Sequence, residues 1–131
     1  MRRQFDLPEG DREFLDARGC PWETVCDGQR WLIVGQIKVP PGYKTQEVAV
    51  ALSIEPSYPD TQIDMAYFFP PLELASARAI AALSTQAIDG KTFQRWSRHR
   101  TAQNKWRPDV DCVATHLAQV AIWLQREVEK S

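Results

Sequence analysis

The 131-residue chain contains only two histidines, three cysteines and one asparagine, and these scarcities exclude a good deal. It has no Cys-x-x-Cys pair, and His99 and His116 do not fall at a metal-ligand spacing, so no metal and no cofactor are expected. An odd number of cysteines argues against a disulfide framework. Cys20 and Cys26 lie on either side of an expected strand, where about 3.3 Å per residue sets their Cα atoms about 20 Å apart, beyond disulfide reach. Long apolar runs are missing as well. None approaches the roughly 20 residues that cross a bilayer, and Met1-Arg2-Arg3-Gln4-Phe5 is not followed by the apolar region of a signal peptide. The expectation is a cytosolic protein with no membrane partner. Neither sign of charge dominates: 16 Lys and Arg face 17 Asp and Glu, a net charge of −1. General attraction to nucleic acid is thereby excluded, and electrostatic recognition must come from a local patch.

What is present fits a compact globular protein: 44% hydrophobic residues, with five Trp and nine Pro. The length suits one domain spanning residues 1–131. Leu7-Pro8 opens a short helix that carries Phe14 and Leu15 inward and stops at Gly19. Trp22 to Cys26 reads as a strand, Asp27-Gly28 as a turn, and Arg30 to Val39 as a second strand with Trp31, Ile33, Gly35, Ile37 and Val39 on one face. Pro40-Pro41-Gly42-Tyr43 makes a loop. Val48, Val50, Leu52 and Ile54 then alternate with smaller residues at a period of two, and Ile63 to Phe69 forms a fourth strand ended by Pro70-Pro71.

Four strands with no helix between them imply an antiparallel meander. Leu72 to Ala87 reads as an irregular crossing with at most a helical turn or two. From Asp109 the pattern becomes helical, with Val113, Leu117, Val120, Leu124 and Val128 on one stripe and Asp109 or Asp111 as N-cap. The fold class is therefore α+β: a four-stranded antiparallel sheet, a long C-terminal helix packed on it and a short N-terminal helix at one end. Trp123 falls on the outer flank of the long helix, Tyr43 in turn packing, and Asp64 on the outer face of its strand or in a bond to the following loop, with a position near the Trp96–Arg100 loop as the alternative.

Between Asp89 and Pro108 lie six of the sixteen cations, Lys91, Arg95, Arg98, Arg100, Lys105 and Arg107, with no carboxylate between Asp89 and Asp109. The apolar period is weak, so the segment reads as a long ordered loop of the kind that usually carries function. In an extended Trp96-Ser97-Arg98-His99-Arg100, the Ser97 hydroxyl and the His99 imidazole share one face. That pairing suits a serine activated by a base, with cations beside a carbonyl or anionic substrate. The plainer alternative is that Ser97 closes a turn, His99 bonds a backbone carbonyl and the arginines are solvated. A third possibility is a nucleic-acid clamp, with Trp96 and Trp106 stacking on bases and His99 and His116 as acid and base in RNA cleavage.

Specific residues tie the chain to a known family. Tyr58-Pro59, the strand ending in Phe69-Pro70, and Trp106-Arg107-Pro108 before the long helix resemble motifs of the ubiquitin-conjugating enzyme superfamily. Pro41-Gly42-Tyr43, Ile63-Asp64-Met65 and Gln94-Arg95-Trp96-Ser97-Arg98-His99 are similar to its bacterial branch, prokaryotic family E. The resemblance runs from Leu7 to Leu124. It implies a carrier that accepts the C-terminus of a ubiquitin-like protein from an adenylating activating enzyme and passes it to a target amine.

The chain departs from that superfamily where its chemistry usually sits. It has no His-Pro-Asn motif, its one asparagine is Asn104, and no cysteine lies between Cys26 and Cys112. Three readings follow. In the first, Ser97 carries an oxyester with His99 as base, Arg95, Arg98 or Arg100 steadying the oxyanion or the incoming carboxyl terminus, and Trp96 and Trp106 lining the site. In the second, the nucleophile is Cys112, in the first turn of the long helix, where the helix dipole favours a thiolate and Asp109 and Asp111 oppose it. In the third there is no covalent intermediate, and the domain orients a ubiquitin-like protein for another enzyme.

Overall fold

The computed structural model describes residues 1–130. Helix α1 spans Glu9–Ala17, and strands β1 to β6 span Trp22–Asp27, Gln29–Lys38, Glu47–Ser53, Ala66–Phe69, Leu83–Ile88 and Lys91–Trp96. A 3-10 turn at Ala102–Asn104 precedes helix α2, Val113–Glu129. All strand pairs are antiparallel, and the order across the sheet is β1-β2-β3-β4-β6-β5. The α+β class and both expected helices are present, but the sheet has six strands instead of four.

The two additional strands form the β5–β6 hairpin. It occupies the segment expected to be an irregular crossing and the first part of the one expected to be a loop. Its apolar period is masked because the sheet buries side chains on both faces: Phe93 enters one core and Trp96 the other. The legible signal was Asp89-Gly90, whose φ values of 53° and 76° are those of a type I′ hairpin turn. The fourth strand is shorter than expected, beginning at Ala66 instead of Ile63.

A bulge corrects the faces of β2. Its register against β3 shifts between Val34 and Ile37, where Gln36 has a φ of 55°. An extra residue reverses the alternation beyond it. Trp31 and Ile33 therefore serve the smaller core, while Ile37 and Val39 join Leu32 and Val34 against the larger one.

The larger core lies between the sheet and the helices. Leu32, Val50, Leu52, Phe68 and Trp96 from the strands meet Leu15 of α1 and Val113, Val120 and Leu124 of α2. Each large apolar side chain buried there contributes roughly 1.5–3 kcal/mol. Trp123 belongs to this core too and not to an outer flank: it is 7% exposed and edge-on to the buried His116 at 5.6 Å. On the opposite face the sheet curls, so that its two edges meet at one end. Arg2 Nη2 donates at 2.6 Å to both Glu23 on β1 and Asp89 in the β5–β6 turn, and the Asp89 N–H donates to Asp27 Oδ2 at 2.8 Å. Trp31, Tyr67, Ile88 and Phe93 fill the inside of this curl.

The start of α2 is satisfied differently from expectation. Neither Asp109 nor Asp111 is the N-cap; Cys112 is, with its own N–H donating to Thr115 Oγ1 at 2.9 Å. Asp11 of α1, 4% exposed, adds a bond from a distance: its Oδ1 accepts the Val113 N–H at 3.1 Å and its Oδ2 accepts the Tyr58 hydroxyl at 2.6 Å. Asp11 thus joins α1, the Tyr58-Pro59 turn and α2, satisfying an N–H that would otherwise be an orphan donor.

Candidate functional site

The site is organised around Asp64-Met65, immediately before β4. Ile63 is fully buried and anchors the segment, while Met65 at a φ of 58° turns the chain into the strand. The Asp64 carboxylate accepts the Met65 N–H at 3.0 Å. From the opposite direction the Met65 carbonyl accepts a bond of 2.9 Å from His116 Nε2. That bond places the proton on Nε2 and leaves Nδ1 of this fully buried ring without a partner. Burial pushes the His116 imidazole down to about 4, against the opposing effect of the Met65 bond, so the ring is neutral near pH 7.

His99 reaches Asp64 from the segment after β6. Its Nδ1 lies 3.0 Å from each carboxylate oxygen, so the ring donates from Nδ1 and Nε2 is its acceptor. The side chain is 60% exposed, with Nε2 open to solvent or to a ligand. Of the expectations for Asp64, an outer strand face, a loop bond or a position near the Trp96–Arg100 loop, the last is the one its contact with His99 matches, and it orients the candidate base. A carboxylate 35 positions away leaves no local signal.

Ser97 is half-buried at the end of β6. Its N–H donates to Ala82 O at 3.1 Å, and the Arg98 N–H donates back to Trp96 O at 3.0 Å. The second bond closes a three-residue turn with Ser97 at its centre, which interrupts the extension that would put Ser97 and His99 on one face. Among the described residues, the Ser97 hydroxyl has no hydrogen-bond partner and none joins it to His99.

The other expected site residues go to separate places. Trp96 is fully buried, packs edge-on against Phe68 at 5.2 Å and donates from Nε1 to Gln94 Oε1 at 2.9 Å, so it cannot stack on a ligand without opening the core. Arg95 pairs with Tyr67 across β4 and β6 on the smaller-core face, the opposite side from Trp96. Arg98 lies over Trp96 and donates to Glu127 Oε1 and to Ala81 O, both at 3.1 Å. The Arg100 side chain is 5% exposed, over the Trp106 ring and 3.7 Å from Asp111 Oδ1. Trp106 is half-buried and donates to Pro59 O at 2.8 Å, pinning the Tyr58-Pro59 turn. Cys112 is committed as the N-cap of α2. The nucleic-acid clamp needs Trp96 and His116 on an open surface, and both are fully buried.

A second feature borders His99. A groove of about 210 Å³ is lined by Arg98, His99, Trp123, Arg126, Glu127 and Lys130. Glu127, 1% exposed, is bonded by Arg78, Arg98 and Lys130. Burial raises its carboxyl, but the three cationic donors outweigh it and hold the group below the usual carboxylate range. Arg98, Arg126 and Lys130 against the one carboxylate of Glu127 leave the wall of the groove net positive.

The family model described as Prokaryotic E2 family E matches residues 7–127. The chain belongs to this family. It is an E2-like protein of a prokaryotic conjugation pathway. No curated protein and no solved structure matches it. The three cysteines of this E2-like chain are free thiols, and among its described residues no three His, Cys, Asp or Glu side chains are grouped as a metal site needs. None of its described helices is long and apolar enough to cross a membrane. The Tyr58-Pro59 and Trp106-Arg107-Pro108 motifs bond each other, and Pro41-Gly42-Tyr43 bonds the end of α2 through Tyr43 Oη and Leu124 O at 2.8 Å.

Proposed function

We propose that this E2-like chain is the carrier of a prokaryotic ubiquitin-like conjugation pathway and that Ser97 receives the acyl group. An adenylating enzyme supplies the activated C-terminus of a ubiquitin-like protein. Ser97 Oγ attacks its carbonyl carbon, the hydroxyl proton passes to His99 Nε2, the activating group leaves, and an oxyester remains until an amine displaces it. Asp64 holds the imidazole so that Nε2 is the accepting nitrogen. The observation that carries this reading is the pair of 3.0 Å contacts from His99 Nδ1 to Asp64, two residues from a hydroxyl that no other group occupies. The hydroxyl and imidazole close their bond only with substrate seated, as unliganded sites commonly leave such bonds open.

A second reading is a binding module that presents a ubiquitin-like protein to a partner enzyme without forming an ester. The three-residue turn at Ser97 and the engagement of Arg98 with Glu127 favour it, since neither arrangement leaves a ready oxyanion cation. Cys112 remains the other candidate nucleophile: it stands at the N-terminus of α2, where the dipole favours a thiolate and the neighbouring Asp111 opposes it.

The test is a reconstitution with a ubiquitin-like protein and an adenylating enzyme from the same organism, plus ATP. The carrier reading expects an adduct that hydroxylamine cleaves and thiol reductants do not, lost in Ser97→Ala and kept in Cys112→Ser. An adduct that survives Ser97→Ala overturns it. Tight binding with no covalent mass increment selects the binding module.

A further inference from the structure

Strand β5 is an edge of the sheet, and it is open where the opposite edge is covered. On β1 the N-terminal segment supplies partners: the Gln4 N–H donates to Thr24 O at 2.9 Å, the Thr24 N–H to Arg2 O at 3.2 Å, and the Cys26 N–H to the Gln4 side chain at 2.6 Å. Nothing comparable lies along β5. Edge strands are usually blunted by charge, proline or a covering segment, yet Leu83-Ser84-Thr85-Gln86-Ala87-Ile88 has no charge and no proline.

The bonding parity of this edge is fixed from both ends of the hairpin. The type I′ turn at Asp89-Gly90 makes Ile88 and Lys91 a hydrogen-bonded pair. The Ser97 N–H to Ala82 O bond requires the same alternation at the other end. Ser84 and Gln86 therefore bond to β6, and the N–H and C=O groups of Leu83, Thr85 and Ala87 point outward. Among the described residues these groups take no backbone partner, and the Ala87 carbonyl receives only Gln86 Nε2 at 3.3 Å. Thr85 and Ala87 are exposed. Beside them a depression of about 280 Å³, lined by Pro71, Leu83, Thr85, Phe93 and Gln94 among others, offers a seat for an apolar side chain.

We infer that β5 binds the C-terminal tail of the ubiquitin-like protein as an added antiparallel strand. The inference rests on the carrier reading for the identity of the partner and extends it to how the tail is held. Direction is the deciding argument. A strand antiparallel to β5 runs from Ile88 toward Leu83, so its carboxyl end arrives at Ala82, the residue bonded to Ser97. A parallel strand would leave that end at the Asp89-Gly90 turn, about 17–20 Å away for a strand of this length. Charge agrees with direction. Arg98, which donates to Ala81 O, and Arg78 lie toward the Ala82 end with Arg126 and Lys130 beyond them, against the carboxylates of Glu127 and Glu73, a net positive border that would draw the terminal carboxylate of the free tail. Main-chain bonds to the edge supply affinity and the depression supplies side-chain selection, as in other strand additions.

The experiment uses the full chain carrying Ser97→Ala, so that no chemistry intervenes, and a peptide of the last ten residues of the ubiquitin-like protein used in the reconstitution. Amide hydrogen exchange is expected to slow at Leu83, Thr85 and Ala87 on adding peptide, with little change at Ser84 and Gln86, which already bond to β6. Thr85→Pro deletes an outward N–H at an edge position where proline is tolerated, and it should weaken the peptide about tenfold, the scale of one lost hydrogen bond. Thr85→Val should bind normally. Peptide binding that leaves the three amides unprotected overturns the inference, as does protection that rises with the chain's own concentration, which would assign the edge to a second copy. The two readings fail separately: an ester at Ser97 without protection of β5 removes the strand addition alone, and protection without an ester removes the carrier step alone.

Discussion

His99 and Asp64, 35 residues apart, form a two-point contact in which Nδ1 lies 3.0 Å from both carboxylate oxygens. Because the imidazole is exposed, the contact adds little to stability, and its consequence is orientation. Asp64→Asn should slow formation of the Ser97 ester by more than tenfold, within the roughly 10²–10⁴-fold that a general base supplies, with the melting temperature almost unchanged. As a positioning residue, Asp64 should alter the pH profile of the rate as well as its size, and Asp64→Asn should add nothing once His99→Ala is present. Single-turnover rates that ignore both substitutions would remove the pair from the reaction.

His116 predicts a pH dependence of folding. Its imidazole titrates near 4 in the folded protein because of burial, against an ordinary value of 6.5. The unfolded chain takes the proton first, so the contribution is complete above about pH 6.5 and is lost as pH falls toward 4, about 3 kcal/mol in all. His116→Gln, whose amide N–H can still reach the Met65 carbonyl, should flatten the urea midpoint across that window. A slope identical to that of the unmodified chain would assign the acid lability to other groups.

Glu127 predicts a second acid transition at lower pH. Its carboxyl is depressed in the folded state by bonds from Arg78, Lys130 and Arg98 that overcome its burial, so its contribution is present above the ordinary value of 4.5 and is lost as pH falls below it. Glu127→Gln leaves the Arg98 and Arg78 guanidinium groups without their counter-charge. Breaking a buried pair in this way costs about 3–5 kcal/mol, measurable by urea unfolding at pH 7. The loss should shrink in acid, where the native carboxyl is itself protonated.

Gly42 faces the end of α2. A Cβ built there would lie 2.6 Å from Val128 Cγ1, and φ is 117°, a region that L side chains avoid. Gly42→Ala should destabilise the chain by about 1–3 kcal/mol, and the double change with Val128→Ala should recover the steric part while leaving the backbone strain. Full recovery would show that crowding alone sets the requirement.

Much of the framework was readable along the chain. The strict alternation of Val48, Val50, Leu52 and Ile54 with smaller residues and the helical stripe from Val113 to Val128 each mark a large-residue face turned to one core, and both elements stand where that periodicity put them. Elements that bury both faces or change face within one strand were obscured: β2 switches cores at the Gln36 bulge, and β6 divides Phe93 and Trp96 between two cores. The members of the Trp-Ser-Arg-His block, adjacent in the chain, diverge in the fold, with Trp96 in the core, Arg98 on Glu127 and His99 on Asp64.

Taken alone, the order of residues determined the family, the α+β class and the presence of a hydroxyl, an imidazole and several cations within one short stretch, because motifs and single-face periodicity are local properties. Tertiary structure alone decided which of those groups meet. Asp64 meets His99, and Glu127 meets Arg78 and Arg98, across tens of residues, and no local spacing encodes contacts that the whole fold creates.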